Sequence, residues 1–154
     1  MNKSFQLISA LSLAAALTAC GGSSSGGGST LNSAAVSGTA SKGIIIGGTV
    51  TAYPLVDGAI GTIALGSAIT DADGKYSLEL PTDYDGSPIV IIIEPARDDS
   101  TLMRCDIPRG CGDGVGYGDD YPLVDGTGFK MRAILPEVTA GQTVTVNPTP
   151  LTNV

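Results

Sequence analysis

The segment PIVIIIE, from Pro88 to Glu94, most constrains what this chain can fold into. It places five branched aliphatic residues in succession, so both faces of the segment are apolar. Such a run is typical of a short strand buried on both faces, whereas a buried helix needs about 10 residues or more. The flanking prolines, Pro88 and Pro95, also favour the strand over the helix. The sequence therefore predicts a sheet with this strand at its centre.

Further strand patterns lie on either side of this segment. Alternation in KYSLEL places Tyr76, Leu78 and Leu80 on one face, and the preceding DADG, Asp71–Gly74, has the residues of a hairpin turn. The other predicted strands are Ala34–Ser41, Ile44–Pro54 with a break at Gly47-Gly48, Thr62–Thr70, Gly128–Leu135 and Gln142–Val146. Short strands separated by turn signals predict an all-β fold, a single antiparallel β-sandwich.

The hexapeptide YPLVDG occurs twice, at Tyr53–Gly58 and at Tyr121–Gly126. A tandem repeat would require the surrounding residues to recur as well, and neither DADGKY nor PIVIII has a second copy. We therefore expect one domain that uses the same turn twice. In each copy Pro would end a segment, Leu-Val would enter the core, and Asp-Gly would reverse the chain.

The N-terminal segment has the features of a secretion signal. Lys3 precedes the apolar run Phe5–Ala19, which is shorter than the roughly 20 residues that a membrane-spanning helix needs. The run ends LTAC, which resembles the lipobox of bacterial lipoproteins and implies that Cys20 is the acylated first residue of the mature chain. The alternative is an ordinary secretory signal that ends in cysteine.

The resemblance to lipoproteins divides the chain into three parts. Residues 1–19 would be the signal peptide, residues 20–33 the lipidated cysteine and a flexible Gly/Ser linker, and residues 34–154 the β-sandwich. Gly21-Gly22, with no Asp after the cysteine, resembles the outer-membrane lipoproteins of Gram-negative bacteria. This implies a protein held by acyl chains in the outer membrane, on its periplasmic or cell-surface face.

The charge balance limits the partners. The chain has 8 Lys and Arg and 15 Asp and Glu. Removal of Lys3 with the signal leaves 7 basic against 15 acidic residues, a net charge of −8. Nucleic-acid phosphates and anionic lipid headgroups both require clustered basic residues. We therefore expect no nucleic-acid partner and a membrane attachment that depends on the acyl chains alone.

Two cysteines remain beyond Cys20, in the segment CDIPRGC. Outside the cytoplasm, Cys105 and Cys111 are expected to form a disulfide. A zinc site is the alternative, but two thiolates are too few ligands and the chain contains no His. Closing so short a loop contributes about 2 kcal/mol, so the disulfide would constrain one loop more than the whole fold.

The segment at about 98–126 is rich in Asp and Gly and is expected to be an irregular loop that holds the disulfide. Carboxylate and carbonyl oxygens are the ligands that calcium prefers, and the candidate ligands are Asp106, Asp113, Asp119 and Asp120. Alternatively, these aspartates are turn residues that add solubility. Tyr117 and Tyr121 are candidate contact residues for a partner, whereas Tyr76 and Phe129 are expected in the core.

Nothing in the sequence indicates catalysis. The absence of His removes the commonest general base, and no Ser lies in a G-x-S-x-G setting. Adjacent aspartates such as Asp98-Asp99 lie in a polar segment, where nothing desolvates a carboxylate and shifts its pKa. We expect a protein that is not an enzyme.

Segments of Val36–Leu80, namely VSGTASKG, GGTVTAY and ALGSAITDADGKYSLEL, resemble the carboxypeptidase-regulatory-like domains of bacterial surface proteins. Gly48, where that family usually has Ala, and the isoleucines Ile44–Ile46 depart from the family pattern. The resemblance implies an Ig-like, transthyretin-like antiparallel β-sandwich that serves as a non-catalytic accessory module.

We therefore expect a non-catalytic lipoprotein of the cell envelope, with a structural, adhesive or assembly role that depends on protein–protein contacts. The expected contact surface is the loop Cys105–Tyr121. One alternative is a calcium- or carbohydrate-binding accessory module, with calcium as the sole cofactor. Another is the subunit of a surface filament that self-associates by strand addition at an exposed edge such as Ala34–Ser41.

Overall fold

The computed structural model describes residues 33–152. Over that range the chain forms strands and no helix, and so it holds no helix long and apolar enough to cross a membrane. The strands are β1 (Ala35–Thr39), β2 (Ile45–Ile46), β3 (Thr49–Val56), β4 (Ala59–Ile60), β5 (Gly66–Ile69), β6 (Lys75–Glu79), β7 (Ile89–Glu94), β8 (Leu102–Arg104), β9 (Asp120–Pro122), β10 (Met131–Leu135) and β11 (Thr143–Thr145). The all-β prediction is confirmed. The predicted signal peptide, Cys20 and the linker as far as residue 32 lie outside the described residues.

The largest sheet has five strands and contains the apolar segment. β7 lies between β10 and β3, and β3 also pairs with β4 and with β5. The side chains of Ile89, Ile91 and Ile93 are fully buried on the inner face, while Val90 and Ile92 are buried on the outer face. The prediction of a central strand covered on both faces is confirmed.

A three-stranded sheet, in the order β11-β1-β6, contributes the other half of the core. Tyr76 and Leu78 of β6 are buried there with Val36 of β1, which confirms the predicted inner face of KYSLEL. The Tyr76 hydroxyl donates a 2.7 Å hydrogen bond to the carbonyl of Val146, and burial raises the pKa of this hydroxyl. The pairing of β1 with β11 is parallel, an exception to the predicted antiparallel arrangement.

The DADG segment forms a turn, but not the predicted hairpin. The Oδ1 atom of Asp71 accepts hydrogen bonds from the backbone N–H groups of Asp73 and Lys75, and Gly74 has a φ of 72°. However, β5 before the turn pairs with β3, whereas β6 after it pairs with β1. The turn therefore connects the two sheets, because each flanking strand has a partner elsewhere in the chain.

A third sheet, in the order β2-β8-β9, corrects the expectation that the segment at about 98–126 is irregular, because β8 and β9 both lie within it. β8 pairs with Ile45-Ile46, which precede it by more than fifty residues. Thr101, fully buried, fixes the entry to β8: its hydroxyl donates to the carbonyl of Gly47 and accepts from the N–H of Ala96. A partner so distant along the chain leaves no local pattern in the sequence.

The edge strand was also predicted wrongly. β1, within the segment Ala34–Ser41, is the central strand of its sheet, with β6 and β11 on either side. Its backbone is therefore already paired along both edges and offers no site for strand addition. The five-residue strands at the ends of the two main sheets are instead β6 and β10.

The expected common turn of the two YPLVDG copies is not found. Pro54 lies within β3 rather than at its end, and neither Leu55 nor Val56 enters the core. In the second copy Leu123 is buried but Val124 is exposed. The two copies also belong to different sheets, the first to the five-stranded sheet and the second to the β2-β8-β9 sheet.

Candidate functional site

The disulfide loop, defined here as residues 105–119, connects β8 to β9. The ladder of these strands continues past their ends: the N–H of Cys105 donates to the carbonyl of Asp119, and the N–H of Gly118 donates to the carbonyl of Cys105. Cys105 and Cys111 form a disulfide with a Cα–Cα distance of 5.8 Å, which confirms the predicted pairing. The loop is therefore closed twice, by the paired strands at its base and by the disulfide within it.

Glycine is required at particular positions of this loop. Gly110 has a φ of 87°, and a Cβ there would lie 2.5 Å from the carbonyl oxygen of Val115. Because glycine has no Cβ, the backbone at Gly110 can lie against the backbone of Val115. The N–H of Cys111 donates a 2.9 Å hydrogen bond to the same carbonyl. The segment GCGDGVGYG therefore encodes a tight fold, not an extended linker.

A groove with a volume of about 360 Å³ lies between the disulfide loop and the turn that precedes β2. Its walls are Ser41, Gly43, Ile44, Arg104, Cys105, Asp106, Tyr117 and Gly118. Two hydrogen bonds join the walls: the N–H of Gly43 donates to Oδ2 of Asp106, and the N–H of Arg104 donates to the carbonyl of Ile44, each at 2.9 Å. Gly43 is necessary there, because its φ is 63° and a Cβ would overlap the carbonyl oxygen of Arg104.

Arg104 and Asp120 form a bidentate ion pair across β8 and β9. Nε of Arg104 donates to Oδ1 at 2.8 Å and its terminal nitrogen donates to Oδ2 at 3.1 Å. This hydrogen bonding lowers the pKa of the Asp120 carboxyl and raises the pKa of Arg104. The pair fixes the guanidinium at the groove wall, in the planar geometry that suits a carboxylate.

The two candidate tyrosines have different environments. Tyr117 lies in the groove wall with 68% of its surface exposed, on a loop whose backbone is constrained. Tyr121 lies in β9, opposite Met103, and is half-buried. The structure therefore brings only Tyr117 to the groove. Of the two aromatics expected in the core, Tyr76 is buried, whereas Phe129 is half-buried with the ammonium of Lys42 5.9 Å from its ring centroid.

The predicted calcium ligands are not brought together. Asp106 accepts from Gly43, Asp119 accepts from the N–H of Gly116 at 2.8 Å, and Asp120 pairs with Arg104. The fourth, Asp113, is exposed in the left-handed conformation, with a φ of 48°. Among residues 33–152 no group of three or more His, Cys, Asp or Glu side chains is arranged to hold a metal ion. The alternative interpretation, turn-forming aspartates, describes these contacts.

Sequence reasoning missed one wall of the groove. Ser41, Gly43 and Ile44 reach the site because β2 pairs with β8, and no local motif indicates that pairing. Arg104 adjoins Cys105 in the sequence, so its proximity to the disulfide was available as a signal. The ion pair between Arg104 and Asp120 depends on the β8–β9 register, and no local sequence signal indicates that register.

Comparison with protein-family models and with curated proteins finds no match to this chain. The class of protein that the described residues define is an all-β, disulfide-containing sandwich with a third small sheet and a groove beside the disulfide loop.

Proposed function

We propose that this protein is a non-catalytic lipoprotein of the cell envelope that acts as a structural or adhesive module through protein–protein contacts at the disulfide loop. The observation that carries the proposal is the exposure of Tyr117 on a doubly closed loop. Tyrosine supplies a large contact area for a small loss of side-chain entropy, and a constrained loop loses little further entropy on binding. The ion-paired Arg104 beside it adds a donor group at the groove wall.

Site-specific photocrosslinking tests this proposal in cells. A photoreactive phenylalanine analogue at position 117 is expected to crosslink the full-length protein to another envelope protein. The same analogue in place of Leu151, which is 96% exposed at a site away from the groove lining, is the matched control and is expected to give no such product. Crosslinking at both positions, or at neither, would contradict a specific contact at the disulfide loop.

The membrane anchor is a separate part of the proposal, and it depends on LTAC and Cys20. Labelled palmitate is expected to be incorporated into the wild-type protein and not into Cys20→Ala, because the thioether forms on that sulfur. Membrane fractionation should then place the wild-type protein with the outer membrane and release the variant. Equal labelling of both proteins would refute lipidation at this cysteine. The resemblance of Val36–Leu80 to carboxypeptidase-regulatory-like domains supports an accessory module at this location.

Carbohydrate binding is the second candidate function, and the groove beside Tyr117 favours it. A volume of about 360 Å³ falls within the usual range of about 300–1,000 Å³ for small-ligand sites. An aromatic ring next to a guanidinium and a carboxylate offers stacking and hydrogen bonds to hydroxyl groups. A glycan array is the test: binding that Tyr117→Ala removes would establish this function over the protein contact, and an array without hits would exclude it.

A further inference from the structure

The β3–β4 hairpin extends past β7, its neighbour in the five-stranded sheet. Val50 and Ala52 of β3 are fully buried on the inner face, and strand alternation places Pro54 and Val56 on that same face. The pairing of β3 with β7 ends at Pro54, which lies opposite Ile89. The side chain of Val56, beyond this point, is 57% exposed. The apolar inner face of the sheet is therefore partly uncovered at this end of the sandwich.

The loop 81–88, which connects β6 to β7, faces this hairpin across a groove of about 320 Å³, called here the hairpin groove. The Tyr84 hydroxyl donates to the carbonyl of Ser87, and the N–H of Ser87 donates to Oδ1 of Asp85 at 2.9 Å. The loop is thus held by its own hydrogen bonds, and the groove is already formed. Its apolar walls are Pro54, Val56, Leu65 and Pro81, and Asp83 and Asp85 line it with carboxylates.

This end of the sandwich carries acidic side chains and no basic ones. Three segments meet there, namely 54–66, 79–89 and 134–142. They contain no Lys or Arg. Their carboxylates are those of Asp57, Glu79, Asp83, Asp85 and Glu137. The three ion pairs within residues 33–152 lie elsewhere, so no cation in these segments neutralises the carboxylates at the groove.

The pKa of Tyr84 reflects this concentration of negative charge. Burial first, and then the charges of Asp85 and Glu137, raise the pKa of the Tyr84 hydroxyl. Glu137 is remote in sequence from the loop 81–88. Carboxylates from separate segments therefore act on the same site.

Charge and apolar surface together select the occupant. An apolar groove beside carboxylates suits an apolar side chain that is flanked by ammonium or guanidinium groups. A volume of about 320 Å³ lies at the lower limit of the usual range of about 300–1,000 Å³ for small-ligand sites. Ile63, in the same loop as Leu65, is 79% exposed and adds apolar surface that a longer segment can contact. These features favour a peptide segment over a small molecule.

A second copy of this chain does not supply the required charge. Its own hairpin groove carries the same carboxylates, so two such ends repel each other. When these five are subtracted from the 15 acidic residues, 10 remain, against 7 basic residues without Lys3. The rest of a second copy is therefore acidic as well.

We propose that the hairpin groove binds a basic segment of a partner protein, which places an apolar side chain beside Val56 and Lys or Arg side chains at Asp83 and Asp85. This surface is additional to the contact surface at the disulfide loop and does not depend on it. It lies at the end of β3 farther from β2, the strand that pairs with β8, so both surfaces can be occupied at once.

Three blocked peptides test this assignment on the wild-type protein. The first is Gly-Lys-Leu-Lys-Gly, and its titration into ¹⁵N-labelled full-length protein is expected to shift the amide signals of residues 55–58 and 82–87. Replacement of both lysines by glutamine is expected to weaken binding about threefold or more, because two exposed ion pairs are lost. Replacement of the leucine by serine is expected to weaken it about threefold or more as well, because the apolar contact is lost. These comparisons do not depend on whether any variant folds.

Two double variants complete the test. Asp83→Asn with Asp85→Asn is expected to weaken binding of the lysine peptide about threefold or more. The matched control, Asp98→Asn with Asp113→Asn, removes two carboxylates outside the groove and is expected to leave binding unchanged. The control is close, because Asp85 and Asp98 accept the same two hydrogen bonds, from the N–H and the hydroxyl of the serine two residues later.

Equal affinity for the three peptides, or equal weakening in the two double variants, would overturn the proposal, because binding would then depend on net charge alone. No shift of these signals at millimolar peptide would also overturn it. So would binding of blocked lysine as tightly as the peptide, which assigns the groove to a small ammonium ligand. A dimer that sedimentation detects and that Val56→Asp abolishes would overturn it too, since that result assigns the groove to a second copy.

Discussion

The two copies of YPLVDG, Tyr53–Gly58 and Tyr121–Gly126, have identical sequences and different structures. In the first copy four residues belong to β3, and Asp57 and Gly58 form a two-residue turn with φ values of 51° and 78°. Two consecutive positive φ angles are typical of the type I′ hairpin turn, and β4 follows at once. In the second copy only Tyr121 and Pro122 belong to a strand, and Asp125 does not have a positive φ.

The residues that follow the hexapeptide account for much of this difference. Ala59-Ile60 follow the first copy and pair with Val56 and Leu55, which completes a hairpin. Thr127 follows the second copy, and its hydroxyl donates to the carbonyl of Val124. The N–H of Asp125 donates instead to Oδ1 of Asp99, a residue of the loop before β8. The same Asp-Gly pair therefore forms a hairpin turn only where the next residues can extend the ladder.

The largest expected difference between the copies concerns the leucines. Leu123 is 7% exposed and belongs to the core, whereas Leu55 is half-buried on the outer face of its sheet. Leu123→Ala is expected to lower the free energy of unfolding by about 2–5 kcal/mol, and Leu55→Ala by about half of that or less, because it removes less buried surface. Urea unfolding of both variants measures the difference. Equal losses would mean that the second copy is not anchored by its leucine.

The disulfide should affect the second copy and not the first. Replacing Cys105 and Cys111 together by Ser is expected to lower the free energy of unfolding by about 2 kcal/mol, the estimate for so short a loop. Hydrogen exchange should accelerate in β8 and β9, which the disulfide loop connects, and stay unchanged at the β3–β4 hairpin. Acceleration of similar size at both places would show that the two copies unfold as one unit. Reduction of the wild-type protein is the matching control.

The aspartates give a smaller contrast. Asp57→Ala is expected to lower the free energy of unfolding by about 1 kcal/mol, because Ala is unfavourable in the left-handed conformation that Asp57 adopts. Asp125→Ala, at a position without a positive φ, is expected to change it by about 0.5 kcal/mol or less. Urea unfolding again provides the measurement. A larger loss at Asp125 would show that its contacts in the second copy matter more than backbone conformation does.

The sequence predicted those features that depend on local pattern. The apolar run of β7, the alternation in KYSLEL and the Cys105–Cys111 pairing are each confirmed, because burial, strand period and proximity in the chain all act over a few residues. The hairpin at DADG and the free edge at β1 were wrong, because each depends on which distant strand is the partner.

The candidate site shows the same limit. Composition and spacing predict the disulfide and the candidate contact residue Tyr117. They do not predict the groove wall formed by Ser41, Gly43 and Ile44. That wall reaches the disulfide loop through the β2–β8 pairing, and a two-residue strand has almost no sequence signature. The predicted calcium ligands failed to meet for a related reason. An aspartate in a Gly-rich loop accepts a hydrogen bond from a nearby backbone N–H group, as Asp119 does from Gly116. A carboxylate held in this way is not directed toward a cation site shared with the other aspartates.

The smallest expected effect is electrostatic and concerns the residue that precedes each copy. Asp120 precedes the second copy and pairs with Arg104, whereas the apolar Ala52 precedes the first. Because the hydrogen bonds from Arg104 lower the pKa of Asp120, the unfolded protein binds the proton more tightly than the folded protein does. The stabilisation is therefore present above the unfolded pKa of about 3.9 and is lost as the pH falls through the lower, folded value.

Carbon-detected NMR titration of the Asp120 carboxyl measures this pKa directly. Arg104→Gln is expected to return it toward the ordinary value for aspartate, and high salt should move it the same way, since a pair this exposed is screened by ions. The conservative Arg104→Lys should have an intermediate effect, because an ammonium keeps the charge but cannot reproduce the bidentate geometry. An unchanged pKa in Arg104→Gln would show that the ion pair does not hold β8 against β9 in solution. The position of β9 beside β8 would then depend on the backbone hydrogen bonds between the two strands and on the disulfide alone.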